Sequence, residues 1–510
     1  MKQWYLALAC ALAMQSKAQT PQDALRSSWY IPTTGARSMA AGGVMGSLGG
    51  DISAAYVNPA GIGMYKNTEF VFSGGWQFNN NKLQYRGTDT SNNRNAFLYG
   101  PIGFVSGMPS HSKYSKTTSS AFALSVNQLA SFNNRVQYRG FNTTSSFSEQ
   151  YLEELISDRA DTIAALSNYI FGSSLAFRTY LVDKDVDASG NLLGYQSLIP
   201  ISTGVQQEYD AIERGGKHEI NLTYGANYDD RLYLGAGIGI PIVSYQRNLT
   251  YSERDISGNG NNDFNYFTFN ERFKSNAVGV NARLGMIYKA SQLVRVGFAL
   301  HTPSLLGFRD EIRASMTTDT EAYAGVKSET SDALNSGNAG VREYNQTTPW
   351  RFVGSASFVL RDINDTKKQR GFISADVEYV THGSSRFTAA TGADEVARNY
   401  YRVVNNAIKE LYKANFNIKV GAELKFDPIM VRAGFAHFGS PYRNRELNAS
   451  RTQLSGGLGI RTKGIFIDLT YAHFINRDVS FPYLLNDKPN TFAEWRNNRG
   501  IAMLTVGVKL

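Results

Sequence analysis

The sequence predicts an all-β protein: an antiparallel transmembrane β-barrel of about fourteen strands, with an N-terminal plug inside it and partly helical extracellular loops. Three observations carry this expectation. Alternation with a period of two recurs through most of the chain after residue 67, the mark of strands with one face in an apolar medium. Beyond the first residues no apolar run reaches the ~18 residues a spanning helix needs, so a membrane location requires a closed barrel, in which every backbone group finds a partner. The composition, with 29 Tyr, 29 Phe and 47 Gly at only 42% hydrophobic residues, suits strands that are greasy on one face only.

In chain order, residues 1–18 read as a secretory signal. Lys2 supplies the positive end, Trp4 to Met14 an apolar run, and Ser16-Lys17-Ala18 a small-residue cleavage region. Cys10 is the only cysteine and falls inside the segment removed; acylation there would leave almost no apolar stretch before it. The mature chain therefore has no disulfide, cysteine-based zinc site or cysteine nucleophile.

Residues 19–66 differ in kind from the rest of the chain. Gly, Ala and Ser crowd Gly35 to Tyr65 without sustained alternation, and the stretch contains Asn58-Pro59-Ala60-Gly61. Small residues at this density suit a compact irregular plug in a barrel lumen, and Ile52, Tyr56, Val57, Ile62 and Met64 are too apolar for a solvated linker.

Residues 67–510 are expected to form the barrel. The final strand sets Leu504, Val506, Val508 and Leu510 against Met503, Thr505, Gly507 and Lys509; Ile465, Ile467, Leu469 and Tyr471 alternate with Phe466, Asp468, Thr470 and Ala472. Strands are expected at 68–80, 97–109, 119–132, 216–229, 231–246, 271–289, 292–303, 349–361, 370–381, 412–425, 428–436, 450–461, 464–474 and 500–510. Short turns, such as Asp229-Asp230 and Phe426-Asp427, alternate strictly with longer segments. In bacterial barrels the short turns are periplasmic and the long loops external, which places both chain ends in the periplasm.

Two outer loops carry helical spacing. Leu152, Leu155, Ile156, Ile163 and Leu166 recur within 148–167, and a weaker pattern runs from Asp394 to Leu411. Such helices either cover the barrel mouth or offer an apolar landing site for a ligand, in which case Leu152, Leu155, Ile156 and Ile163 are the capture residues. Gly235-Ala236-Gly237-Ile238-Gly239 imitates a dinucleotide loop, but no helix follows and Pro241 continues the strand, so it reads as a lumen-facing glycine row. Asp185-x-Asp187 and Asp255-x-Ser257 imitate the start of a calcium loop without its terminal Glu. The six histidines are scattered, and no Ser or Asp nucleophile is oriented by one of them through spacing. No enzyme activity, cofactor or metal is expected. The net charge of +9 is dispersed, which on an exported chain argues against nucleic acid.

At the plug, Gly35-Ala36-Arg37, Ala40, Gly42-Gly43, Asp51, Ser53-Ala54, Tyr56 and Asn58-Pro59-Ala60-Gly61 resemble the FadL/TodX family of outer-membrane transporters for long-chain fatty acids and hydrophobic compounds. The runs Thr348-Pro349-Trp350-Arg351, Asp376-Val377-Glu378-Tyr379 and Arg432-Ala433-Gly434-Phe435 before Gly439-Ser440-Pro441-Tyr442 look especially like its members from Bacteroidetes. The resemblance implies a monomeric barrel in a Gram-negative outer membrane, among lipid and lipopolysaccharide. It implies capture of a hydrophobic small molecule by the loops, and a hatch whose movement releases it sideways. Asn58, Pro59, Ala60 and Gly61 match the hatch motif, with Asp51 a nearby hydrogen-bond anchor. The insertion 133–215 departs from the better-known members. Some barrels of this kind serve instead as protein-binding accessories of a secretion system, and aromatic-rich loops would suit that role too.

Overall fold

The computed structural model describes residues 20–110, 114–361, 369–447 and 449–510; the signal segment 1–18 lies outside the described residues. Fourteen antiparallel staves form a closed ring. They are β1 (Glu69–Tyr85), β2 (Thr88–Tyr99 continued by Ile102–Pro109), β3 (Thr117–Ser131 continued by Asn134–Asn142), β4 (Val205–Tyr228), β5 (Leu232–Asp255), β6 (Tyr266–Lys289), β7 (Val294–His301 and Leu305–Asp319), β8 (Gly340–Thr347 and Arg351–Arg361), β9 (Gln369–Val380 and Arg386–Ala389), β10 (Asn415–Phe426), β11 (Ile429–Phe438), β12 (Arg451–Arg461), β13 (Ile465–Ser480) and β14 (Ala493–Lys509). Closure is made by β1 on β14, from Glu69 opposite Lys509 to Gln84 opposite Glu494.

Alternation decides which way each stave faces. On β13, Ile465, Ile467, Leu469 and Tyr471 point outward at 45–55% exposure, while Phe466, Asp468, Thr470 and Ala472 are buried inside. On β14, Leu504 and Val508 are exposed and Met503 and Thr505 buried. Outward aliphatic and aromatic side chains recur on every stave near the short-turn end, among them Phe72, Ile238, Leu284, Ile418 and Leu458. A closed ring wearing such a belt is built to span a bilayer, and among the described residues no helix is long and apolar enough to cross one.

All fourteen staves are legible in the alternation, but their outer ends are not. β4, β5 and β6 are 24 residues long, whereas crossing the hydrocarbon takes about 9–11, so more than half of each stands above the membrane. There the outward face meets water and the apolar period vanishes. Several staves also break in mid-length, at Gly100-Pro101, Thr302-Pro303-Ser304 and Thr348-Pro349-Trp350. Each of these three breaks contains a proline, which cannot donate to the ladder; those in β3, at Phe132-Asn133, and in β9, at 381–385, do not.

Residues 20–66 run inside the ring as short helices α1 (Pro21–Arg26), α2 (Ala36–Ala40) and α3 (Ala54–Val57), then a 3-10 turn, Pro59–Met64. The insertion after β3 supplies α4 (Glu149–Ser157), α5 (Thr162–Ser167) and α6 (Ser173–Arg178). The helical pattern expected across 148–167 thus splits in two, because Arg159 adopts a left-handed φ of 50° and Asp161 caps the second helix by accepting from the Ala164 N–H at 2.7 Å. The weaker pattern forms the longest helix, α7 (Glu395–Leu411), capped by Asp394.

Helices α4 and α6 fold over the mouth around Phe147, whose ring stacks on Tyr251 at 4.4 Å and lies 5.5 Å from Phe269. Leu155, fully buried, belongs to this core and Leu152 packs against it. A peripheral clasp joins this cap to the β13–β14 loop. The Glu153 carboxylate accepts from the Asn486 N–H at 2.9 Å. Burial, then a hydrogen bond shared with the Asp487 carboxyl, pushes the Glu153 pKa up to about 7. A carboxyl whose folded pKa lies above its unfolded value binds its proton more tightly when folded. Its contribution is therefore complete below the ordinary carboxylate range and lost as pH rises through about 7. Amide exchange at Asn486 and Asp487 should be slower at pH 5 than at pH 8 after correction for intrinsic rates, and Glu153→Gln should remove that difference.

Candidate functional site

The hatch touches the lumen wall through backbone, and the wall makes room for it with glycine. Gly235 faces the Pro59 carbonyl carbon, which an added Cβ would approach to 2.3 Å; at Gly285 the Cβ would lie 1.9 Å from Asn58 Oδ1. The glycine row that imitates a dinucleotide loop thus packs in part against the hatch turn.

Asn58 is fully buried. Its Oδ1 accepts from the Ala60 N–H at 3.1 Å, closing the turn that Pro59 begins. Its Nδ2 donates to the Gly46 carbonyl at 2.5 Å and shares itself between the carbonyls of Met286 and Phe298 at 3.2 and 3.3 Å. One amide therefore ties two hatch segments to β6 and β7. Ala60 and Gly61 sit wholly inside. Asp51 makes a local bond, accepting from the Ser53 N–H at 2.9 Å ahead of α3.

Charge supplies the second set of ties. The Arg37 Nε of α2 donates to Glu423 Oε2 at 3.0 Å; Glu423 also holds Arg432 at 2.6 Å, and Arg432 holds Asp468 at 2.6 Å. All four are buried. Asp376 Oδ2 accepts from the N–H groups of Met45 and Gly46, both at 2.9 Å. The wall residues Glu423 and Asp468 have a sequence signal, namely a carboxylate on the inward face of an alternating strand, which must find a partner in the lumen. Which hatch residue answers each one cannot be read from spacing.

Between α1, the segment after it and the walls of β3, β12, β13 and β14 lies a cavity of about 350 Å³. Trp29, Ile31, Phe132, Phe474 and Ile501 give it apolar lining. Interleaved with these are four cations, Arg26, Arg451, Arg477 and Arg499, and two carboxylates, Glu213 and Asp478. The Arg451 guanidinium lies 4.7 Å from the Trp29 ring, and that of Arg499 lies 4.6 Å from the Phe474 ring. Arg499 Nε and Trp29 Nε1 are buried donors with no acceptor among the described residues.

The four residues expected to capture ligand do not share a surface. Leu152 and Leu155 are taken up by the core of the cap, while Ile156 and Ile163 are 57% and 75% exposed on separate helices. The histidines are also dispersed: His301 Nε2 lies 2.8 Å from the Val57 carbonyl of the hatch, and His382 packs edge-on to Trp29.

No family model matches the chain, and no curated protein does. Solved structures match over nearly its whole length. A Pseudomonas aeruginosa FadL homologue is 13% identical, with 94% of this chain and 99% of that one covered, at a TM-score of 0.54. The P. putida toluene transporter TodX is 12% identical over 94% and 99%, at 0.52. A deltaS2 mutant of the TodX monoaromatic hydrocarbon channel is 12% identical over 93% and 98%, at 0.53. At these identities the likeness establishes a shared fold, the one anticipated from the hatch motif and the strand parity.

Proposed function

We propose that this FadL-fold barrel is an outer-membrane channel for passive uptake of hydrophobic small molecules, and that its preferred cargo is amphipathic and anionic, as a long-chain fatty acid is. The observation that carries this reading is the lumen cavity, which combines apolar rings and aliphatic side chains with arginines in excess over carboxylates. Sinking an alkyl chain into such a space gains roughly 0.8 kcal/mol per CH₂, and a carboxylate would supply the acceptor that Arg499 Nε and Trp29 Nε1 lack. The FadL homologue and the toluene transporter with this fold support the general class.

In this reading the hatch is the gate, and Asn58 with the Arg37–Glu423 pair is its latch. Release is sideways, where β3 is interrupted between Ser131 and Asn134, residues that border the cavity. Ile156 and Ile163 are the exposed apolar side chains a ligand would meet first on the cap. The rival reading, a protein-binding accessory, would use the long projecting strands of β4 to β6 and would leave the cavity without a ligand.

Native mass spectrometry of the detergent-purified barrel with oleate tests the proposal. The expected result is one bound oleate, with affinity falling about tenfold or more in Arg451→Gln/Arg499→Gln, the loss of one or two charge-assisted hydrogen bonds at ~1.5–3 kcal/mol each. Equal binding by that variant, or none by the native chain, would count against it.

A further inference from the structure

A second cavity lies on the outside of the wall. It is a groove of about 1070 Å³ between α7 and the outer surface of β7, β8 and β9, at the level where those staves break. Its cationic lining is Arg386 on β9 and Arg398, Arg402 and Lys409 on α7. The last three recur at intervals of four and seven residues and so share one helix face. All four are exposed, and no carboxylate among the described residues lines the groove. The helix is fixed there because Asn405 serves the free edge of β9: its Oδ1 accepts from the Phe387 N–H and its Nδ2 donates to the Phe387 carbonyl, both at 2.8 Å. The groove is thus set in place independently of any occupant.

Its height relative to the membrane is marked by aromatic rings. Trp350, Phe352, Tyr379 and Phe416 form a continuous row across β8, β9 and β10, with centroids 6.4, 6.3 and 4.9 Å apart. Such rows sit at the boundary between hydrocarbon and headgroups. Trp350 and Leu305 form the apolar floor of the groove, 40% and 58% exposed. Four like charges line the same groove, carried by segments that follow the breaks on the long-loop side. Gathered without counter-charge they repel one another, and an anion with several negative oxygens would relieve this through charge-assisted hydrogen bonds.

We propose that this groove is a binding site for the phosphorylated headgroup of an outer-leaflet glycolipid of the lipid A type, its phosphates held by Arg386, Arg398, Arg402 and Lys409 and its acyl chains lying over Leu305 and Trp350. The charge fits a polyanion, the aromatic row places it at headgroup depth, and the apolar floor distinguishes a lipid from a free anion. The proposal rests on the outer-membrane reading for which leaflet the groove faces, and is otherwise separate from ligand uptake.

The test is native mass spectrometry of the full chain released from phosphatidylcholine nanodiscs doped with diphosphoryl lipid A, with its dephosphorylated form, or with neither plus inorganic phosphate. The native barrel is expected to retain diphosphoryl lipid A about tenfold better than the dephosphorylated lipid, a difference of ~1.4 kcal/mol. Arg386→Gln/Arg398→Gln/Arg402→Gln/Lys409→Gln should erase that preference, while Lys184→Gln/Lys327→Gln in the cap should keep it. Equal retention of both lipids by the native chain, equal loss in the cap variant, or retention of inorganic phosphate as firmly as lipid A would each overturn the proposal. Oleate added to each of these samples is read in the same spectra; its failure to bind alongside intact lipid A selectivity would contradict the uptake reading alone.

Discussion

Replacing Gly285 by alanine should unseat the hatch and open a leak through the barrel. The new Cβ would lie 1.9 Å from Asn58 Oδ1 and 2.9 Å from Pro59 Cδ, and Asn58 cannot turn aside without releasing the Ala60 N–H and its shared carbonyl bonds. A clash of this kind in a packed, hydrogen-bonded site belongs with the most destabilising single substitutions, about 4 kcal/mol or more. The barrel ladder itself, which pairs Gly285 with Gly235 on one side and Ala299 on the other, is left intact. The readouts are ion conductance in planar bilayers and the melting temperature in detergent. Adding Asn58→Ala removes the atom struck, so Gly285→Ala/Asn58→Ala should regain stability relative to Gly285→Ala, a coupling that double-mutant comparison isolates. A quiet, stable Gly285→Ala barrel would show that the hatch turn is not seated where Asn58 places it.

Glu423→Leu should be nearly as severe, for an electrostatic reason. Glu423 answers two buried guanidiniums at once, Arg37 of the hatch at 3.0 Å and Arg432 of β11 at 2.6 Å. Removing it leaves Arg37 with no carboxylate in ion-pair contact among the described residues and Arg432 with Asp468 alone, and stranding a buried charge costs about 3–5 kcal/mol. Because Arg37 is on the hatch and Arg432 on the fixed wall, the hatch should bear the loss. Limited proteolysis between residues 35 and 66 should become several-fold faster, with barrel heat-modifiability retained. Arg37→Met/Glu423→Leu, which removes both sides of the hatch contact, should be milder than Glu423→Leu. Equal protection of hatch and barrel in Glu423→Leu would mean that the network does not hold the hatch.

How much of this is legible in the chain depends on what each region faces. Staves such as 465–472 are plain because lipid demands an apolar residue at every second position, and lumen and lipid make opposite demands of neighbours. Above the membrane that contrast disappears, so the strand residues 205–215, which bury Val205, Tyr209 and Ala211 in the cap but face water on the other side, read as loop in the sequence. Helix α4 is visible through Leu152 and Leu155, yet the same apolar residues that make it visible are consumed by Phe147, Tyr151 and Phe269, leaving them unavailable for a ligand. The longest helix among the described residues shows only weakly in the sequence because its buried face is confined to Tyr401, Val404, Ala407 and Ile408 in an otherwise polar segment. At the site, the hatch motif is recognisable but its receptors are not: Gly285 and Glu423 lie far from Asn58 and Arg37 in sequence and meet them only on closure of the ring. The cavity arginines Arg451 and Arg499 have no signal beyond a cation at an inward position.

The central claim, that this is a barrel closed to water-soluble solutes and passable to amphiphiles, is tested most directly by reconstituting it into liposomes. Fluorescent fatty-acid entry and potassium flux would be followed in the same vesicles. Faster fatty-acid entry than in protein-free vesicles, with potassium flux unchanged, and a loss of that gain in Arg451→Gln/Arg499→Gln, is the predicted result. Potassium flux raised by the native barrel, or fatty-acid entry no faster than through lipid alone, would contradict it.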